Sequence, residues 1–531
     1  MSDDEAVQVL VAGAGPVGLT AAHELVRRGV RVRVVDKASG PATTSRALAT
    51  HARTMEICDQ MGVLDRLMPL GRPVEHFSLH QGGKLRVRFD TDYRTMPTRF
   101  PFSLMVDQVV TERVLREHLS ELGVEVEWGV ELTSFEPHTD SVSATLRHAD
   151  GRVEEITAGW LVGTDGARST VRKRLGLELL GETTLTWLNV DVQLDTDLPP
   201  DSNHLLFTDD GTLLLVPFPE PGKWRVVDTT DCATDAADDP EAIRARLAGK
   251  ISRTLGRTVL VSSPTWLSVF TVQQRMIRQM RVGRVFVAGD AAHIHSPASG
   301  QGMNTGIQDA YNLAWKLADV VHGFAEDALL DSYGAERVPI GETLLGSTRK
   351  ATAMVALRNK MLPILMPPAT GLLNFLYPIK RKLEGKLIRG FCGLALHYAQ
   401  SPLSGAVPGA GQRVGCTAED ERTSQGWREL IAELRDPRWK LLAFTEEADL
   451  DDIAHRHSGA MSVRTVSASA RGHRPLADPD GLLRKGLGVP PGHFVLIRPD
   501  GYVATSGPVD SLELSLRESH LVPGPVVPLN S

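Results

Sequence analysis

The chain has four cysteines in 531 residues, an aromatic content of 5% and no excess of basic charge. Cys58, Cys232, Cys392 and Cys416 are scattered and include no Cys-x-x-Cys pair, which excludes a disulfide framework, a cysteine-built zinc site and dithiol redox chemistry. The most apolar late stretch, residues 351–379, is interrupted by Arg358, Lys360 and four prolines, so it does not read as a membrane span. Basic residues number 58 against 65 acidic, a formal charge of −7. Nucleic-acid binding requires a concentrated basic face. The ratio of 45 arginines to 13 lysines reads as GC-rich coding and not as a binding surface. The acidic opening, Met1 to Ala6, runs directly into an apolar strand, unlike a secretory signal. The expectation is a soluble, cytoplasmic protein with no nucleic-acid or membrane partner.

What is present is ordinary for a globular chain: 42% hydrophobic, 23% charged, with 48 glycines and 32 prolines. At roughly 150 residues per domain, the length suggests three or four domains.

The first chemistry-bearing motif follows the apolar run Val7 to Ala12, which suits a strand buried on both faces of a parallel sheet. Gly13-Ala-Gly15-Pro-Val-Gly18 comes next, then a helical stretch from Leu19 to Arg28 and a strand from Arg31 to Val35 ending on Asp36. In dinucleotide binding Gly13 makes the tight turn and Gly15 lets the backbone approach a pyrophosphate. Gly18 lets helix and strand pack closely, and the helix N-terminus faces the phosphates. Asp36 can accept from the adenosine ribose hydroxyls, and the adjacent Lys37 is grouped with it as a cofactor contact. A lone glycine motif is weak, but strand before, helix after and an acid 18 residues beyond Gly18 are its confirming context. This much does not separate NAD from FAD.

A second signal lies far downstream. The short strand Arg284 to Ala288 ends in Gly289-Asp290-Ala-Ala-His293. Ser296-Pro297-Ala-Ser-Gly300-Gln-Gly302-Met303-Asn304 follows, then a helix with an apolar stripe from Ile307 to Val321. A carboxylate at a strand end before a glycine-rich helix start makes a second anion- and polyol-binding terminus. FAD, with its ribityl and flavin half, has use for it; an NAD dehydrogenase does not.

With Thr164-Asp165-Gly166-Ala-Arg168-Ser169 between them, these motifs closely resemble, in order, those of the FAD-dependent aromatic hydroxylases, single-component flavoprotein monooxygenases acting on phenols and aromatic polyketides. The resemblance spans about residues 6 to 400. It implies that Asp290 binds the ribityl chain, that Pro297 lies beside the flavin, and that Gly300, Gly302, Met303 and Asn304 meet its pyrimidine edge. It implies that Asp165 serves the FAD and the reductant, that Arg46 lies near the diphosphate and flavin, and that Gln108 touches the FAD. Helix capping is nearly as good a reading of Gln108, and an ordinary turn is the bland reading of Asp165-Gly166. The implied cofactors are FAD and NADPH (or NADH) as co-substrate. The implied reaction adds O2 to reduced flavin, giving a C4a-hydroperoxide that hydroxylates an aromatic phenolic or polyketide substrate. Baeyer–Villiger insertion into a polyketide ketone and a non-catalytic flavin carrier are the alternatives. No catalytic side chain is identified, and His293 with His295 reads as structural or flavin-site, not as a metal pair.

The expected fold class is α/β (α+β). A Rossmann-like FAD-binding domain takes residues 1–75, 101–180 and 281–400, and an antiparallel substrate sheet takes 76–100 and 181–280. Within that sheet Trp187, Phe207, Phe218 and Trp224 could face an aromatic ligand, although alternation puts half such residues in the core. Residues 401–412 read as a linker. The tail, 413–531, resembles the thioredoxin-like C-terminal domain of larger family members. Lacking Cys-x-x-Cys, it is expected to be structural or to support a homodimer.

Overall fold

The computed structural model describes residues 7–44, 47–89, 96–208, 211–229, 239–295, 300–355, 385, 388–390, 392–446, 449–519 and 521–522. Arg46, Pro297 and Cys232 lie outside the described residues. The remaining cysteines are buried free thiols.

The apolar run Val7–Ala12 is the central strand of a parallel sheet. It pairs with Val32–Asp36 on one side and Val153–Gly163 on the other, and Val285–Val287 extends the sheet beyond Val153–Gly163. Its inner residues Val9, Leu10 and Val11 are fully buried because helices cover the sheet. Helices Pro16–Arg27 and Gly302–Val321 pack against each other, joining the two ends of this discontinuous unit.

The second sheet has eight strands along its main path, in the order His293–Ile294, Trp266–Met276, Leu180–Asp195, Lys223–Asp228, Gly211–Pro217, Ser202–Thr208, His76–Gln81 and Lys84–Phe89. The two early strands thus join the later ones, as expected. All pairings along the path are antiparallel except Ser202–Thr208 with His76–Gln81. Leu188, Val190, Val192, Leu213 and Leu215 turn to one face and pack on helix Pro240–Leu255. By strict alternation Trp187, Asn189 and Asp191 turn to the other.

The tail forms a five-stranded sheet, Leu476–Ala477, Met461–Ser467, Trp439–Ala443, His493–Ile497 and Val503–Pro508 in spatial order. Trp439–Ala443 is parallel to Met461–Ser467 and antiparallel to His493–Ile497, which forms a hairpin with the last strand. This is the thioredoxin-like order of a β-α-β unit followed by a hairpin. The segment read as a linker is not a free one. Gly405 and Gly411 donate backbone hydrogen bonds to Ala504 and Val503, and Leu403 and Ala410 are buried. Its composition excluded regular structure; docking on the tail hairpin still fixes its path.

Candidate FAD site

The motifs converge at the C-terminal edge of the parallel sheet, where α/β folds bind ligands. Ala12 is in register with Gly163, and Gly163 with Val287, so the three strands end side by side. The Thr164 hydroxyl lies 3.0 Å from the Ala12 carbonyl and 2.9 Å from that of Gly13, stapling the first motif to the second. Val17, within the glycine motif and in the first turn of helix Pro16–Arg27, fills the space beside Gly289 and Gly306: a Cβ on Gly306 would lie 2.6 Å from Val17 Cγ2. Residues nearly 300 positions apart are in van der Waals contact.

Two of the glycines are required on steric grounds. Gly13 has φ +110°, and a Cβ there would fall 2.5 Å from the Thr164 carbonyl oxygen. At Gly18 a Cβ would sit 1.9 Å from the Gly13 carbonyl oxygen. Gly15 is the opposite case: its side-chain direction is open, with no atom of the described residues within 4 Å. It starts helix Pro16–Arg27, which no side chain caps. Helix Gly302–Val321 likewise begins without a side-chain cap, and among the described residues nothing fills the space beside Gly302. Two helix N-termini thus present backbone N–H groups and positive dipole ends toward this edge.

Asp36 is fixed by backbone donors: Ala14 N–H to Oδ2 at 2.7 Å and Ala38 N–H to Oδ1 at 2.8 Å. Its half-buried carboxylate keeps lone pairs for a ribose, while Lys37 is exposed. Asp165 Oδ2 accepts from the N–H groups of Thr170 and Val171 at 2.6 and 3.1 Å, and its Oδ1 is a buried acceptor with no partner among the described residues. Gln108 donates to Glu112 Oε1 at 2.7 Å, and Asp107 caps its helix. Asp290 stands exposed in the turn Gly289–Ala291. Gly300 has φ +62° and faces His51, and Met303 is buried. Asn304 staples the loop: Oδ1 accepts from the His51 N–H at 2.9 Å, and Nδ2 donates to the Ala49 and Gly300 carbonyls at 2.8 Å each. Both amide hydrogens are used within the protein, so this side chain shapes the loop more than it greets a ligand.

Two supports were invisible in the sequence. Asp309, within the helical stripe, accepts from the Gly289 N–H, His293 Nε2 and Arg337 Nε at 3.1, 2.5 and 2.7 Å. Burial pushes its carboxyl up, but His293 and Arg337 outweigh that and hold it at about 2. His295 in turn meets His293 Nδ1 at 2.8 Å, and burial, then His293, keeps it well below the usual histidine range. The pair is a structural chain beneath the Gly289 turn, and among the described residues no cluster fit for a metal exists. His51, whose Nδ1 meets Ser103 Oγ at 2.9 Å, is the other; a histidine before a helix carried no signal of its own.

Of the four aromatics considered in the substrate sheet, Trp224 turns to the helix side and packs in that core, because its register places it beside Val192. Phe218 packs with Leu48, Val74 and Met105. Trp187 stands edge-on to Phe270, with centroids 6.3 Å apart, beside Val227, and Phe207 joins Leu79 and Leu205. On the Trp187 face Arg225 makes a buried two-pronged bond to Asp191, at 2.8 and 2.9 Å.

The residues fit a flavin dinucleotide. Two uncapped helix starts, an open approach at Gly15 and Gly302, an acid at the second strand tip and the unpartnered Asp165 oxygen share one sheet edge. The FAD binding domain family matches residues 6–348. The chain is similar to a 6-methylpretetramide 4-monooxygenase of Streptomyces rimosus, 58% identical over 531 residues, covering 98% of this chain and 95% of that one. A 12-dehydrotetracycline 5-monooxygenase/anhydrotetracycline 6-monooxygenase of Streptomyces rimosus subsp. rimosus is 33% identical, with 96% and 98% covered. Among solved structures, the OxyS anhydrotetracycline hydroxylase from Streptomyces rimosus superposes with a TM-score of 0.77 at 29% identity, covering 97% of this chain and 99% of that one. The chain therefore belongs to the FAD binding domain family, and within it is an FAD-dependent monooxygenase of the aromatic-hydroxylase type.

Proposed function

We propose that this monooxygenase hydroxylates a ring carbon of a multi-ring phenolic polyketide, using NADPH (or NADH) as electron donor and O2 as oxygen source. The observation that carries the substrate class is the Trp187 face of the second sheet. Phe270 and Leu214, half-buried and backed by the buried Trp187 and Val227, form an aromatic patch on the side away from helix Pro240–Leu255. A flat aromatic ligand buries area on such a surface and stacks edge or face. The activity of the 58% identical relative on a pretetramide supports the same class.

In this reading the adenosine end is held by Asp36 and Lys37, with Arg46 near the diphosphate and flavin. The first helix start takes the pyrophosphate over Gly13, Gly15 and Gly18. Asp165 and Gln108 complete the FAD contacts, Asp290 holds the ribityl chain, and Pro297, Gly300, Gly302 and Met303 bound the ring, with Asn304 fixing their loop. The chemistry that bound FAD supplies is transfer of two electrons from the nicotinamide to O2 and delivery of one oxygen atom to the substrate. The positive end of helix Gly302–Val321 favours negative charge at the flavin's pyrimidine edge. The substrate sheet excludes water from the reacting ring. The domain bounds 1–75, 101–180 and 281–400, then 76–100 and 181–280, then 413–531, belong to this reading. So do a cytoplasmic location and a homodimer; among the described residues no helix is long and apolar enough to cross a membrane.

The test is to follow nicotinamide oxidation by the FAD-loaded protein with candidate multi-ring phenols under labelled O2. The expected product is one oxygen atom heavier, with NMR placing a hydroxyl on the ring. A lactone would replace hydroxylation with Baeyer–Villiger insertion. Nicotinamide oxidation unchanged by every multi-ring phenol tried would overturn the proposed substrate class. Asp290→Ala is expected to lose FAD on purification, and normal flavin absorbance in the purified variant would remove Asp290 from the site.

A further inference from the structure

The tail takes no part in the function proposed above, yet buried charge joins it to the flavin side of the molecule. Arg498, in the tail hairpin, makes a two-pronged bond to Glu336 at 2.6 and 2.9 Å and holds Asp500 at 2.6 Å. Glu336 also accepts from Lys316, on the helix that begins at Gly302, at 2.8 Å. The side chains of Lys316, Glu336 and Arg498 are 0% exposed and that of Asp500 3%. Two cations thus neutralise two anions, and moving the tail would strand charges in an apolar interface.

A second link runs to the loop itself. The Asp500 carbonyl accepts from Arg53 Nη2 at 2.7 Å. Arg53 sits in the first turn of helix Ala52–Gln60, two residues after His51, whose backbone N–H holds the Asn304 side chain. The same helix is tied to the tail again through Glu56 and Arg413, at 2.8 and 2.9 Å. Gly300 and Asn304 are therefore braced from both sides, through His51 and through helix Gly302–Val321, by elements that the tail pins.

We propose that the C-terminal domain is a clamp on the cofactor loop, with Arg53 the positioning residue that carries its hold to Asn304; this rests on residues 300–304 being the flavin loop. Without the Arg53 bond the start of helix Ala52–Gln60 relaxes, Asn304 loses its fixed donor and the loop opens more often. The clamp sets how long FAD stays bound.

The experiment dilutes the FAD-loaded holoenzyme and follows recovery of flavin fluorescence. Arg53→Met is expected to release FAD about tenfold faster, equivalent to ~1.4 kcal/mol, with unchanged circular dichroism, and Arg53→Lys to recover most of the loss. Val466→Ala opens a cavity in a core cluster built only of tail residues, away from the link; it is expected to lower thermal stability and leave release unchanged. Wild-type release by Arg53→Met, or equal acceleration by Val466→Ala, overturns the clamp. If Arg53→Met does not fold, Arg413→Met at the same helix is read instead: faster release supports the clamp and unchanged release overturns it. Failure of the wild type to hold FAD would overturn the cofactor-site reading instead, so the two failures are distinguishable.

Discussion

Asp309 shows how much one buried carboxylate can organise. It receives the Gly289 N–H, His293 and Arg337, so the turn carrying Asp290 is fixed from beneath. Its carboxyl lies at about 2, below the ordinary value of 3.8. A depressed native value means that the unfolded chain binds the proton more readily. Its stabilisation, about 2 kcal/mol, is thus complete above pH ~4 and lost as pH falls toward 2. Asp309→Asn is expected to flatten that part of the stability curve, which chemical denaturation at stepped pH measures. Gly18 makes a steric prediction of the same size. Its alanine variant places a methyl 1.9 Å from the Gly13 carbonyl oxygen, costing about 1–3 kcal/mol. It should also displace the turn that approaches the pyrophosphate, so purified Gly18→Ala is expected to be colourless. At Phe270, the half-buried ring standing edge-on to the buried Trp187, loss of the ring should weaken aromatic substrate binding. Phe270→Leu is expected to raise KM several-fold with FAD content unchanged.

Among elements, the tail strand Trp439–Ala443 is the least ordinary. All five of its residues are buried, including Lys440, whose ammonium has no hydrogen-bond partner among the described residues. Trp439 meets Trp315 edge-on at 5.3 Å and donates to Asp319 at 2.9 Å. Burial, followed by Arg28 and Arg27, lowers Lys440 to about 7 against some help from Asp436, and burial raises Asp319 to about 7. For Lys440 the unfolded state binds the proton more tightly between pH ~7 and ~10, so this group's contribution to stability rises with pH across that window. Lys440→Met keeps the volume and removes the unpartnered cation. It is expected to stabilise the protein by about 1–3 kcal/mol at pH 7 and to flatten the rise between pH 7 and 10, read by thermal melts at both values.

At the scale of the whole molecule, helix Gly302–Val321 joins the nucleotide unit to the tail. Its start carries the glycine loop, its middle packs against Pro16–Arg27, and Trp315 and Lys316 enter the tail interface. The tail shares core with the nucleotide unit, since Trp315, Ala325 and Leu329 belong to the same cluster as Leu441, Val463 and Phe494. Glu336→Ala leaves Arg498 and Lys316 buried without their shared carboxylate. The expected cost is about 3–5 kcal/mol, with tail and nucleotide unit melting separately in calorimetry where the wild type melts as one.

Much of this was fixed by local chemistry. The glycine spacing at 13, 15 and 18, the acid at 36 and the apolar runs specify a strand, a tight turn and a helix whatever surrounds them. The two-residue alternation after Leu180 specifies strands. Tertiary structure decided what spacing could not carry. Trp224 turned to the core because register, not composition, chose its face. Asn304 became a staple because the His51 N–H happened to lie opposite. Residues 401–412, glycine-rich and irregular as composition demanded, were still held in place by backbone bonds to the tail hairpin. Asp309, Arg53 and Glu336 looked like ordinary helix residues because a charge on a helix is normally solvated. Only burial against partners distant in sequence turned them into supports for the site.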